Sequence, residues 1–463
     1  MHADIKKIGL AHSGNTVNTV IFRSHALLTH NAKQYIAYYE DASKLRIVCR
    51  DLSTDDVVSC VIEGHFNLAD AHNAISLGLD RDGYLHLAYD SHGGALRYRR
   101  GTVPNSIEEW TDEIPMTGAR EHQVTYPTFV LPKNEEPLII IYRDGTWNAG
   151  EARMKIYSES CQQWEDNPDP ILSGLNQAPW TSNAYWNTPV RGRDGTLHVS
   201  FTWRTHYVPG SLELNNIDIC YAKSYDNGFT WYSSDERPFE LPITQVNSET
   251  IAIVPPGSNL MNQCGMTLDS FDQPHVVFYA DDSDGVPQYQ HLWFDGQSWK
   301  RNVISAQGDD FDLSGSGTLS IPMTRPQIVL DQEDTAYVLY AGTATGGRMC
   351  AAALAAPDYD PLAQRTFLLT NEETGHSEPL IDSKRWDEYQ VLSLYMQFSD
   401  QPLSDDVLVD EQCTAWVLDV HQAALRTAAA GPVRAEESRE GRDADAIIEQ
   451  EYERSDGDVL PGG

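Results

Sequence analysis

The chain has 463 residues and a formal net charge of −35, with 41% hydrophobic and 10% aromatic residues. That length accommodates two or three average domains or one large closed all-β unit, and the apolar content is ample for a sizeable core. The charge repels nucleic-acid phosphates and anionic membranes, and no apolar run approaches the roughly 18 residues of a membrane helix, so neither is an expected partner.

No continuous apolar stretch follows Met1-His2-Ala3-Asp4-Ile5-Lys6-Lys7. No secretory signal is visible, and localisation stays undecided. The seven cysteines (Cys49, Cys60, Cys161, Cys220, Cys264, Cys350 and Cys413) are odd in number and scattered, which is no disulfide framework. The acidity suits solubility in high salt, and a monomer is expected.

Helical periodicity is almost absent before the C-terminus. Short runs rich in Val, Ile, Tyr and Phe alternate with Gly, Asp, Asn and Pro turns, the pattern of an all-β fold. Lys33-Gln34-Tyr35-Ile36-Ala37-Tyr38-Tyr39 is a weak first copy of a recurring unit: a turn with Asp or Gly, then apolar alternation ending in an aromatic. Asp80–Tyr89, Glu136–Tyr142, Asp194–Phe201, Asp272–Tyr279 and Asp331–Tyr340 are clearer copies. Between Asp194–Phe201 and Asp272–Tyr279 lies Ser224-Tyr225-Asp226-Asn227-Gly228-Phe229-Thr230-Trp231, which fits the Asp-box pattern S-x-D-x-G-x-T-W at every specified position. Asp226 accepts backbone N–H bonds, Gly228 supplies a positive φ, and Trp231 restarts a strand with a buried ring. By itself the motif is structural.

Six copies plus a terminal unit around residues 385–420 predict a seven-bladed β-propeller, each blade the roughly 40–50 residues of four strands plus insertions. Pairing of the chain ends would close the ring and remove its edges. From Ala428 the character changes, and Ala428-Ala429-Ala430-Gly431-Pro432 leads into dense Arg, Glu and Asp. Residues 1–427 are therefore read as the propeller and 428–463 as an acidic, disordered tail with no chemistry assigned.

Aligning the copies gathers polar residues. The strand before each turn begins with His72-Asn73, Tyr126, Tyr185-Trp186-Asn187, Asn262-Gln263-Cys264 and Thr324-Arg325 in successive copies, and His92, Arg143 and Arg204 follow the second strands. Equivalent positions of successive blades lie around one axis, so His72, His92, Tyr126, Arg143, Tyr185 and Arg204 form a candidate site at one end of the channel. Any one Tyr or His at a strand start is commonly a core residue with satisfied hydrogen bonds; six converging on one mouth is another matter. An arginine neutralises a carboxylate, and tyrosine and histidine move protons, so the set suits proton abstraction beside a carboxylate. It lacks the two close carboxylates of ordinary glycoside hydrolysis.

Ala71-His72-Asn73, Tyr89-Asp90-Ser91-His92, Thr125-Tyr126-Pro127, Tyr142-Arg143-Asp144-Gly145 and Tyr185-Trp186-Asn187 resemble the signature segments of BNR-repeat polysaccharide lyases, in particular seven-bladed ulvan lyases. The resemblance implies β-elimination on a sulfated, uronate-containing polysaccharide, an anionic polymer as partner and no organic cofactor. It implies Tyr126 as catalytic base and acid, with His72 and His92 assisting. Arg143 would neutralise the uronate carboxylate and Tyr185 would line the cleavage site. Asn73, Arg204 and Arg325 are expected to contact substrate, the arginines making the mouth locally basic.

His206, Cys220, Cys264 and His275 offer two imidazoles and two thiols, the ligand mix of a closed structural zinc site, although their spacing is long. The related lyases carry a structural zinc in this region, so the resemblance supports the same expectation here. Two other readings stay open. A sialidase-like hydrolase would need three arginines and a Tyr–Glu pair, and Phe22-Arg23-Ser24 only faintly resembles its Phe-Arg-Ile-Pro start. A non-catalytic glycan-binding propeller would keep the aromatics and dispense with the base.

Overall fold

The computed structural model describes residues 3–147, 149–175, 182–205, 216–305, 311, 313, 317–402 and 407–431. Seven antiparallel sheets follow one another along the chain and form a seven-bladed β-propeller. The inner strands of the first six are Leu27–His30, Ser76–Leu79, Val124–Val130, Ser182–Trp186, Gly265–Leu268 and Gln327–Leu330. The second strands, among them Leu85–Tyr89, Ile139–Thr146, Leu197–Thr205 and Pro274–Asp281, carry the recurring apolar runs. Leu85–Tyr89 and Ala336–Tyr340 are buried at every position, because a strand between two blades has no solvent face. Their near-continuous hydrophobicity follows from that. The outer strand Val57–Glu63 alternates between half-buried and exposed instead.

The last blade joins both ends of the sequence. Asp4–His12 pairs with Gln412–His421, which pairs with Val391–Met396, which pairs with Leu380–Ile381. The ring closes by hydrogen bonds between the N-terminal strand and the last blade, which leaves each blade only its short outer edge. A helix, Gln422–Ala430, follows this blade with Leu425 buried. Helical structure therefore runs past residue 427, and the expected tail beyond Gly431 lies outside the described residues. No helix among the described residues is long and apolar enough to cross a membrane.

The Asp-box behaves as its chemistry requires. Asp226 accepts from the Thr230 backbone N–H at 2.8 Å and its hydroxyl at 2.7 Å, while Ser224 Oγ accepts from Gly228 N–H at 2.8 Å. Gly228 has φ +91°, and a Cβ there would come within 2.6 Å of Met154. Trp231 is 1% exposed and donates Nε1–H to the Gly228 carbonyl at 3.0 Å. The motif anchors one blade to its neighbour and touches none of the candidate site.

Two ends of the channel result. The turns joining first and second strands, with Asp80, Lys133, Arg193, Asp272 and Asp334 among them, line a cavity of about 930 Å³. The starts of the inner strands lie at the other end, and the candidate site is there.

Candidate active site

One rung of backbone pairing assembles the centre of the site. Thr125, on the strand Val124–Val130, pairs with Arg143 on one side and with His92 on the other. Tyr126 comes next, within a bulge that shifts the register between Thr125 and Thr128. Its φ is +56°, a left-handed conformation rare for a bulky aromatic residue, and the bulge re-aims its ring toward the channel.

His72 and His92 stack beside it, with ring centroids 4.4 Å apart and planes 19° from parallel. Both are tied to one carboxylate: Nδ1–H of His72 donates to Asp70 at 2.7 Å, and Nδ1–H of His92 donates to its other oxygen at 2.5 Å. Asp70 also accepts the backbone N–H of His72 at 2.9 Å, so a local turn sets one ring and the carboxylate sets both. Burial by itself would raise the Asp70 pKa, but the hydrogen bonds from the two histidines outweigh it and hold the carboxyl well below the usual range. With Nδ1 protonated on each ring, Nε2 carries the lone pair. Phe22 completes the wall, stacked on His72 at 5.6 Å and edge-on to Tyr126 at 4.9 Å. Asp70 and Phe22 were not foreseen from sequence. An Asp two residues before a His was the available signal for the first; Phe22 gave none beyond its faint likeness to a sialidase start.

Two arginines face these rings. The Arg143 guanidinium lies 5.1 Å from the Tyr126 ring centre, and that of Arg204 lies 4.5 Å from the Tyr185 ring. Both donate to the Tyr185 hydroxyl, at 3.4 and 3.2 Å. Gly150 keeps the space open, since a Cβ there would come within 2.8 Å of Arg143 Cγ. Arg143 is 3% exposed and its Nε has no partner; among the described residues neither arginine has a carboxylate within ion-pair distance. Arg143 is buried and Arg204 half-buried; enclosed cations without counter-charges are rare, and an anionic ligand would satisfy them. Burial pushes the Tyr126 hydroxyl pKa well up, and Tyr185 adds to this; Arg143, Arg204 and Arg325 oppose it without cancelling it. The phenol therefore rests protonated.

Three expectations need correction. Arg325 is not free for substrate: it donates Nε–H and Nη2–H to the two oxygens of Glu378, each at 2.7 Å, and packs over Phe22 at 5.3 Å. It builds the floor. Asn73 is 4% exposed and donates its amide to the Asn67 carbonyl at 2.9 Å, while its own carbonyl accepts the Tyr39 hydroxyl at 2.8 Å. It pins the loop that carries His72.

The zinc set is the third. His206 lies outside the described residues. Cys220, Cys264 and His275 do not come together: Cys220 packs in the core around Trp203 and Trp231, and Cys264 in the next, around Met266 and Phe278. His275 pairs with Thr267, three residues down the strand from Cys264, which is roughly 10 Å of extended chain. Its ring stacks on His291 instead, with Nδ1 2.9 Å from the neighbour's Nε2. The described residues do not fit the expected metal.

The architecture and site together define a seven-bladed propeller with a histidine–tyrosine–arginine centre at one channel mouth. The sequence profile of a family described as "BNR repeat-containing family member" matches residues 33–307, and the chain belongs to that family. An ulvan lyase of Nonlabens ulvanivorans is 22% identical over 279 residues, covering 53% of this chain and 56% of that protein. The match thus spans about half the length of the relative. The solved structure of the polysaccharide lyase Uly1 superposes with a TM-score of 0.67 at 13% identity, covering 90% of this chain and 99% of the other. A PL25 ulvan lyase bound to -[GlcA(1-4)Rha3S]- gives 0.64 at 13% identity, covering 85% and 94%. At such identity the structures share the fold alone.

Proposed function

We propose that the protein is a polysaccharide lyase that cleaves a sulfated, uronate-containing polymer of the ulvan type by β-elimination, leaving an unsaturated uronate end. The observation that carries this reading is a pair of arginines, Arg143 and Arg204, with no carboxylate partner among the described residues, beside a protonated tyrosine and two imidazoles oriented by one carboxylate. The uronate carboxylate fills the charge gap at the arginines. Removal of the C5 proton then builds an enolate whose charge Arg143 meets in the transition state, the kind of fixed electrostatic stabilisation that dominates such steps. The proton goes to an imidazole Nε2. His92 is favoured, because its side chain is 26% exposed against 15% for His72. The C4–O4 bond breaks, the C4–C5 double bond forms, and Tyr126 donates its proton to the departing O4. The resting protonation of Tyr126 supports the acid role and moves the base role, first expected of the tyrosine, to the histidine.

Hydrolysis is the poorer reading, because among the described residues Asp70 is engaged with two histidines and Glu378 with Arg325. Incubation with ulvan and with other uronate polymers, followed by the ultraviolet absorbance of an unsaturated uronate, tests the proposal. Reducing ends without that absorbance would mean hydrolysis. Retention of polymer without cleavage would mean a binding module.

A further inference from the structure

Asp70, His72 and His92 have a second chemistry besides sharing protons. Among the described residues they are the one group of three His, Cys, Asp or Glu side chains whose ligand atoms all lie within 4.8 Å of one another. Two imidazoles and one carboxylate form the facial triad that holds divalent first-row metals while leaving positions open. We infer that this cluster is a binding site for a divalent transition-metal ion such as Zn²⁺, and that its occupancy switches off the chemistry proposed above. The second half of that inference rests on the lyase reading; the first does not.

The two His–Asp contacts, at 2.7 and 2.5 Å, are bridged by protons. A tetrahedral ion with bonds of about 2.0–2.2 Å holds its donors roughly 3.3–3.5 Å apart, so the rings need to draw back by less than about an ångström. Both side chains reach solvent, which gives the ion a way in. The ion takes the place of the two bridging protons. Each imidazole passes its proton from Nδ1 to Nε2, so the ion meets two neutral nitrogens and a carboxylate with no net proton released. Both Nε2 atoms are then protonated, and neither can accept the C5 proton. Inhibition follows from the tautomer shift alone, without displacement of Arg143 or Tyr126.

The test uses the full chain, with Zn²⁺ alone titrated by calorimetry and Co²⁺ followed by visible spectroscopy. One ion per chain is expected, with cobalt d–d bands of low coordination number. Binding should weaken by about tenfold or more in both His92→Gln and Asp70→Asn. Turnover should fall in step with occupancy and return on addition of a chelator. A thiolate-to-cobalt charge-transfer band would place the ion on cysteines and overturn the site, as would affinity unchanged in both variants or no binding at all. Binding with turnover undiminished would overturn the inhibitory half. If the ion binds as described but no uronate polymer is cleaved, the metal site stands and the lyase reading falls.

Discussion

Two stacked histidine pairs occur among the described residues of this propeller, and their fates differ. His72 and His92 lie 4.4 Å apart at the channel mouth, tied through Nδ1 to Asp70 and partly open to solvent. His275 and His291 lie 5.0 Å apart inside a blade, 1% and 0% exposed, with Tyr359 edge-on to both and Trp293 stacked on His291. Burial lowers the pKa of both members of the inner pair, so they are neutral aromatic filler that hydrogen-bond each other. The difference lies in the neighbours. Asp70 accepts from both outer rings at 2.7 and 2.5 Å and fixes their tautomers, whereas the inner pair has Asp269 at 3.9 Å from His275 Nε2 and an aromatic box whose burial keeps both rings neutral. Stacked histidines alone mark nothing.

The largest expected effects come from breaking the outer pair's surroundings. Tyr126→Phe removes one hydroxyl, so fold and polymer retention should survive while turnover falls about 10²–10⁴-fold, the usual loss of a general acid. Arg143→Ala should reduce both polymer binding and turnover, since the guanidinium meets the carboxylate in the ground state and the enolate in the transition state. Initial rates of unsaturated-uronate absorbance, with retention on immobilised polymer, separate the two. Full turnover in Tyr126→Phe would remove the tyrosine from the mechanism.

Asp70→Asn takes from the outer pair the carboxylate that both rings share. A drop in kcat of about 10–100-fold with little change in KM is expected, because Asp70 orients the rings and touches no substrate. An unchanged kcat would show that the stacking alone positions the bases.

His275→Ala sharpens the comparison from the other side. Opening a void in the aromatic box should cost about 1–3 kcal/mol of stability, read from the urea midpoint, with turnover per folded molecule unaffected. Metal content should be unchanged as well. Zinc released by this variant would restore the ligand set first expected of His206, Cys220, Cys264 and His275.

Much of the fold was legible because a propeller repeats itself. The Asp-turn-strand units gave the blades, and the ring argument placed Tyr126, His92, Arg143 and Arg204 together because equivalent positions share one axis. Register within the rung at Thr125 was not readable, yet it is what joins His92 to Arg143 across Thr125, beside Tyr126. Arg325 and Cys264 also sat at ring positions and turned out to be floor and core. Ring membership gives a location, whereas the partner, Glu378 from the neighbouring blade, decides whether a charge is free. The zinc expectation failed on the same ground, since ligand types in sequence say nothing of which interblade core each side chain enters.

The last effect is a pH dependence carried by the buried histidines. His198, 4% exposed with Nδ1 2.6 Å from the Tyr221 hydroxyl, has its pKa lowered to about 4, by burial first and then by Lys223, against Asp194. The unfolded chain titrates near the ordinary 6.5, so between these values it binds the proton that the folded chain refuses. The contribution is therefore complete above pH 6.5, declines as pH falls, and is fully lost below about pH 4. It amounts to at most about 3 kcal/mol for this residue. His275 and His291 act in the same direction. Carboxylates with lowered values, such as Asp226, lose their contribution only below the ordinary 3.8, whereas burial raises Asp144, Asp218, Asp382 and Asp387, which oppose the histidines as pH falls; the window from pH 7 to 4.5 is therefore read through the difference between two variants. Urea midpoints across that window should fall for the wild-type chain and fall less steeply for His198→Gln. The difference between the two removes the background of a chain with net charge −35. Parallel slopes would mean that His198 accepts its proton in the folded state, and that a buried ring with one tyrosine partner is no barrier to charge.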